Sequence, residues 1–441
     1  MIVCRRFVGA GAGYALRASG ELIRRGSGWD QMRVSSLVWQ RGFVGLMMVV
    51  LAFLLGCGVY GMAAVGPRPG HLGANAAAAS APAPAPAPSV AFSPRSGATD
   101  VPPDQPVALA ADHARLTSVT LRAADGTSVA GTAGADGRSW RAGAPLRYGT
   151  TYTWSGQAAG EGGTVPVAGS FSTVDPATTT QAQINIGDGE SVGIAAPIIV
   201  QFDHHVTDKA AAERAMTVQT SIPTPGSWAW LDDDNGGSRA HWRPQNYWTS
   251  GTQVAVTVHQ LGVNDGDGVW GAQDVTSRFT IGRAQIVKAD VNSHQMLVLQ
   301  DGKTVMDFPA SYGLGEDPNR NTTNGVHVVM SKAQTVLMSN PKYGYNNVPE
   351  HWAVRIENNG EFIHANPLTD GVQGSENVTH GCVNLSTENA QQYYDTAIFG
   401  DPVEVTNSPV PLTLSDGDVA DWTVPWNQWT TMSALTGHAS G

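Results

Sequence analysis

His364-Ala-Asn-Pro-Leu-Thr-Asp-Gly-Val-Gln-Gly-Ser-Glu-Asn-Val-Thr-His380-Gly381-Cys382-Val383-Asn384-Leu385 is the stretch from which the rest of the chain is best understood. It brings two histidines and a cysteine into a short span, with Gly381 directly before the cysteine. A thiol attacks only as its thiolate, and an ordinary cysteine is mostly protonated at neutral pH. A histidine within hydrogen-bond reach can take that proton and later return it to a leaving amine. The plain alternative is a small buried hydrophobe, which is what most free cysteines are.

Working outward, Met296-Leu-Val-Leu299, Asp301-Gly302 and Thr304-Val-Met-Asp-Phe308 predict a β-hairpin. Asn324-Gly325 leads into a strand over Val326-His-Val-Val-Met330, and another strand spans Trp352 to Ile356. Asn358-Asn-Gly360 then turns the chain into Glu361-Phe-Ile-His364, which puts His364 at a strand end. Ser386 caps a short helix running to Tyr394, and Asp401 to Val405 closes the domain.

The 441 residues are too many for one ordinary core and suggest about three domains. A formal charge of -11, a charged fraction of 14%, 51 Gly and 26 Pro suit an exported, turn-rich β protein. The absence of a Lys/Arg-rich run after residue 70 argues against nucleic-acid binding.

Residues 1–42 form a basic segment with Arg5, Arg6, Arg17, Arg24, Arg25, Arg33 and Arg41, and residues 43–65 are apolar and uncharged. That run is long enough to span a bilayer, with the arginines holding its start in the cytoplasm. A lipobox reading of Leu54-Leu-Gly-Cys57, with Cys57 lipidated after cleavage of a signal peptide beginning at Met32, is the competing form of anchor. Either tethers the chain to the outer face of a membrane. Residues 66–91, with the alanine run Ala76 to Ala79 and an alternating Ala-Pro run ending at Pro88-Ser89, form an extended spacer. Cys382 is then the sole thiol of the exported portion, because Cys4 and Cys57 lie before or within the apolar segment.

Between spacer and hairpin lies an internal repeat. Trp140-Arg141 and Trp242-Arg243 are 102 residues apart, as are Gly149-Thr150 and Gly251-Thr252. Each copy continues through an alternating strand, Thr151 to Trp154 or Val254 to Val258, to a closing strand at Phe171 or Phe279. This predicts two immunoglobulin-like β-sandwiches, at 92–175 and 176–283, with tryptophans in their cores. Asp232-Asp-Asp234 and Asn264-Asp-Gly-Asp-Gly268 lack the spacing of a calcium loop and read as turns, and His113, His204 and His205 read as surface residues.

Thr379-His-Gly-Cys-Val-Asn384 matches the [S/T]-H-G-C-x-N signature of the YkuD-type L,D-transpeptidases. Phe362-Ile-His364, with fifteen residues between the two histidines, matches that family's second element, and Asn324-Gly325-Val-His-Val-Val is similar to its T-x-x-G-x-(aliphatic) strand. Asp421-Trp-Thr-Val-Pro-Trp426-Asn-Gln-Trp429 resembles the Trp-rich tail of mycobacterial-type members. The resemblance implies a mainly β protein: two Ig-like sandwiches, a β-rich catalytic domain with short helices at 284–407 and a Trp-rich C-terminal subdomain at 408–441.

The resemblance also implies roles. Cys382 would be the nucleophile and His364 its general base and acid, with the backbone carbonyl of Ala365 as the third member. His380 would support the loop or the acceptor side, and backbone N–H groups around Gly381 and Cys382 would form the oxyanion hole. Asn384, Asn359 and Gly360 would line the groove for the donor peptide. The segment 332–350 would be a flap, with Tyr343 and Tyr345 its contacts, while Leu368 stands where some relatives carry an aromatic residue. Implied partners are peptidoglycan stem peptides, a tetrapeptide donor and a diamino acid acceptor, together with carbapenem-type β-lactams. No metal or organic cofactor is implied. Hydrolysis of the acyl-enzyme and attachment of a protein to the wall use the same intermediate. Three rivals remain: a zinc site on His364, His380 and Cys382, for which no fourth ligand is evident; a papain-like peptidase, whose Cys-before-His order is reversed here; and a non-catalytic wall-binding module.

Overall fold

A computed structural model describes residues 85–436 of the chain. The predicted membrane or lipid anchor and most of the Ala/Pro spacer lie outside the described residues. Among those described, no helix is long and apolar enough to cross a membrane.

The repeat read from the sequence becomes two β-sandwiches with separate cores. In the first, a four-stranded and a three-stranded sheet enclose Leu121, Trp140, Tyr152, Trp154 and Phe171. In the second, two four-stranded sheets enclose Ile198, Phe202, Trp228, Trp242, Trp248 and Phe279. The repeated tryptophans sit alike: Trp140 opposes Leu109 on the adjacent antiparallel strand, and Trp242 opposes Ile198. Alternating side chains make this possible, since every second residue of each strand faces the core.

The arginines that follow those tryptophans differ. Arg141 is exposed, whereas Arg243 is buried under the C-terminal tail, its guanidinium 4.8, 5.4 and 4.7 Å from the rings of Trp422, Trp426 and Trp429. Arg243 also donates to the Val424 carbonyl at 2.6 Å, and buried His241 meets buried Asp421 at 2.9 Å. The Trp-rich tail is therefore fastened to the second sandwich. Trp429 completes the attachment by donating from its indole N–H to the Ser227 carbonyl at 2.9 Å.

The catalytic domain stacks two sheets around one core. A five-stranded sheet has the order Lys303–Pro309, Gln295–Gln300, Gln285–Asp290, Pro402–Thr406, Gly325–Val328. A four-stranded sheet runs Ser331–Asn340, Tyr345–Arg355, Phe362–Ala365, Val383–Leu385. Val287, Val298 and Val403 from the first meet Val354, Ile363, Val383 and Leu385 from the second, together with Tyr393 of the helix Thr387–Thr396. Asp301 and Gly302 both take positive φ, 49° and 77°, as the predicted Asp-Gly hairpin turn requires. Ser386 caps the helix as expected, accepting from the Asn389 N–H at 3.2 Å.

The domain is held against the second sandwich through backbone: the N–H groups of Gly193 and Ala195 donate to the carbonyls of Phe399 and Gly400 at 2.7 and 2.8 Å. The packing leaves no room for a side chain there, since a Cβ on Gly400, already at φ +90°, would lie 2.4 Å from the Ala196 Cβ.

Candidate active site

Cys382 sits at the turn into the short strand Val383–Leu385, which pairs in parallel with Phe362–Ala365 so that Asn384 lies beside His364. The turn is fixed from several sides. Thr379 Oγ1 donates to the Cys382 carbonyl at 2.7 Å and accepts from the Gly381 N–H at 3.2 Å. Thr322 Oγ1 donates to the Gly381 carbonyl at 2.8 Å, and Arg320 donates to the carbonyls of Thr379 and Val378 at 3.1 and 2.5 Å. Gly381 adopts φ +120°, which explains a glycine directly before the nucleophile.

Cys382 and His364 are both buried, at 5% and 3% exposure, and line the same cavity. The Cys382 thiol also reaches the Gly360 carbonyl, with Sγ 3.7 Å from the oxygen. His364 Nδ1 lies 2.9 Å from the Ala365 carbonyl, the third member expected from the sequence. It also lies 3.1 Å from Glu350 Oε2, which sequence reasoning did not single out as a partner. With Nδ1 engaged on that side, Nε2 is the nitrogen left for the thiol. Burial disfavours the imidazolium, but the hydrogen bonds to Cys382 and Glu350 and the charges behind them outweigh it, and the His364 pKa rises.

A cavity of about 360 Å³ opens over this pair, lined by Met338, Tyr345, Glu350, His364, Leu368, His380, Cys382 and Asn384 among others. Its roof is the expected flap, now seen as the hairpin of Ser331–Asn340 and Tyr345–Arg355 joined through Pro341–Tyr343 and a left-handed Gly344. Leu368 stands at its mouth with 94% exposure. Tyr343 and Tyr345 do meet the site, through His380, with ring centroids 4.7 and 5.5 Å away. His380 thus packs against the flap with its ring tilted to both tyrosines, and burial and Arg320 lower its pKa. Tyr345 is pushed up to about 12 by burial and by the charges of Cys382 and Glu350.

The groove expected from Asn384, Asn359 and Gly360 divides in the structure. Asn384 lines the cavity above Cys382, buried and with its Oδ1 unpartnered. Asn359 and Gly360 instead line a second hollow of about 210 Å³ with Thr323, Glu361 and Asp416, and His380 borders both.

The arrangement suits acyl transfer: a buried thiol, a base oriented through its far nitrogen, and a cavity closed by a hairpin. Residues 98–264 match the family described as bacterial Ig domain, and residues 284–405 match the L,D-transpeptidase catalytic domain. L,D-transpeptidase 5 of Mycobacterium tuberculosis is 51% identical over 345 residues, 78% of this chain and 76% of that protein. L,D-transpeptidase 2 of the same organism is 37% identical over 341 residues, 76% of this chain and 82% of that protein. Among solved structures, the L,D-transpeptidase LdtMt1 in complex with imipenem aligns at a TM-score of 0.44 with 33% identity, covering 52% of this chain and all of that one.

Proposed function

The chain belongs to the L,D-transpeptidase family, and from that premise we propose that it forms 3→3 peptidoglycan cross-links through a thioester on Cys382. The observation that carries the reading is the buried Cys382–His364 pair with Nδ1 of His364 already engaged. His364 Nε2 takes the thiol proton, and the thiolate attacks the carbonyl between the third residue and D-Ala of a tetrapeptide stem. Negative charge builds on that carbonyl oxygen. Because the Gly381 N–H is already given to Thr379, the Cys382 N–H is the first donor for it. The intermediate collapses as His364 returns its proton to the departing nitrogen, so D-Ala leaves with a neutral amine and a thioester remains. The side-chain amine of a neighbouring stem's third residue then attacks, giving a proton to His364 as the new amide forms and the thiolate is expelled.

The same thioester would form on a carbapenem, whose strained amide replaces the donor bond. Asn384, open to the cavity, is the donor-side contact in this reading, while Asn359 and Gly360 belong to the hollow beyond the nucleophile. We further propose that residues 43–65 anchor the chain, as a membrane span or through lipidated Cys57, with the enzyme facing the wall.

Intact mass after incubation with a carbapenem tests the chemistry: one adduct on the wild type and none on Cys382→Ala. The reading fails if no adduct forms and stoichiometric zinc is found, or if both proteins are modified alike. Chromatography of products from a purified disaccharide-tetrapeptide then separates cross-linking from hydrolysis, because water as acceptor yields a tripeptide in place of a dimer.

A further inference from the structure

We infer that Glu350 is a positioning residue for His364, so that this chain works with a Cys382–His364–Glu350 arrangement in addition to the Ala365 carbonyl. The inference rests on the acyl-transfer reading above and deepens it. Glu350 Oε2 lies 3.1 Å from His364 Nδ1, and the Ala365 oxygen lies 2.9 Å from the same nitrogen. The Nδ1–H is directed at the Ala365 carbonyl, and the Glu350 carboxylate stands beside it at ion-pair distance. The carboxylate therefore contributes what the carbonyl alone does not, a full charge beside the imidazolium formed when Cys382 gives up its proton.

The backbone shows how Glu350 comes to face the site. Along Tyr345–Arg355, Val354 opposes Ile363 and His351 opposes Ala365, three steps on the flap strand against two on its partner. The additional residue is a β-bulge, with Trp352 in the left-handed region at φ +52°. A one-residue shift transfers every following side chain to the opposite face. Without the bulge, Glu350 would share the face of Ile363 and Ala365, which pack into the domain core. With it, Glu350 shares the face of Val348, Val336 and Met338, which borders Cys382. A bulky residue at positive φ is unfavourable and persists where surrounding structure imposes it. The bulge re-aims a carboxylate at the base.

The placement has a consequence for the catalytic cycle. Glu350 and Tyr345 are flap residues, whereas His364 and Cys382 belong to the sheet and turn beneath them. The base is fully equipped only while the flap lies down over the cavity. The titratable groups facing His364 are Glu350 and Tyr345 from the flap and Cys382 from the turn, with His380 on the far side of the same cavity.

The test uses the full-length chain in detergent micelles, with histidine labelled on its ring nitrogens, His364 being assigned by the signal lost in His364→Gln. In Glu350→Gln the His364 titration midpoint should fall by at least about one pH unit. The maximal rate of carbapenem acylation should fall roughly tenfold, with half-saturation held within about twofold and the thermal midpoint unchanged. Glu350→Asp should recover part of both. An unmoved midpoint with a wild-type rate overturns the proposal, as does a loss confined to half-saturation, which would make Glu350 a ligand contact. If the wild type takes no carbapenem, the transpeptidase reading fails while the titration still decides the Glu350 contact.

Discussion

Two histidines are buried in the catalytic domain, and each lies near a glutamate, yet the two pairs behave oppositely. His364 faces Glu350 at 3.1 Å, and its pKa rises because Cys382 and Glu350 outweigh burial. His327 lies 3.6 Å from Glu361, within ion-pair distance, but burial lowers it to about 4 against a single good hydrogen bond, Nε2 to the Thr323 carbonyl at 2.8 Å. Glu361 is pushed up to about 8 by burial, in spite of hydrogen bonds from Thr323, and nearby Glu357 rises to about 7 for the same reason. The second pair is therefore two neutral groups at neutral pH, in contact by distance alone. Depth of burial does not choose a base. A partner at the edge of solvent does: the Glu350 side chain keeps 17% exposure, against 7% for Glu361.

The comparison breaks most sharply on substitution of the histidines. His364→Gln should lower carbapenem acylation about a thousandfold, read as the rate of adduct formation by mass. His327→Gln should leave that rate within about threefold and instead lower stability by about 1–3 kcal/mol, read by urea denaturation. Equal kinetic losses at both positions would remove the distinction.

A smaller effect concerns pH. Glu361 has a folded pKa of about 8 against an ordinary 4.5, so its contribution is complete below pH 4.5 and is lost as pH rises toward 8. His327, depressed to about 4 from 6.5, contributes fully above pH 6.5 and loses that contribution as pH falls toward 4. Between pH 6.5 and 8 the raised groups Glu361, Glu357 and His364 act in the same direction, and the urea midpoint should decline across that window. Glu361→Gln should flatten the decline, and an unchanged slope would show that Glu361 does not titrate there.

The smallest effect is expected at His380. Its tilted ring contacts with Tyr343 and Tyr345 make it a support for the flap, so His380→Ala should raise half-saturation about twofold to fivefold without moving the pH profile of acylation. A loss as deep as that of His364→Gln would make it a second base.

Much of the catalytic domain was legible in the chain because its signals are local. Asp301-Gly302 marks a two-residue hairpin turn, Ser386 marks a helix start, and His364 and Cys382 stand at family spacing. Glu350 was not legible in its present role. A flap residue ahead of a strand carries no mark of the bulge at Trp352 that turns it inward, since that bulge depends on how Tyr345–Arg355 pairs with Phe362–Ala365. The division of the groove was hidden likewise, because Asn359 and Asn384 line different hollows that share only His380.

By itself the sequence determined the β-rich class, the two sandwiches with their repeated tryptophans, and the expectation that Cys382 and His364 form a pair. These follow from side-chain alternation, turn chemistry and motif spacing, which act over a few residues. Only the tertiary structure decided what surrounds them: Arg243 caged by three tail tryptophans while its repeat partner Arg141 is exposed, His380 packed against the flap tyrosines, and Glu350 brought to His364 Nδ1. Each of these is a contact between distant segments, set by register and packing. A single-residue shift of register reverses which side chains meet.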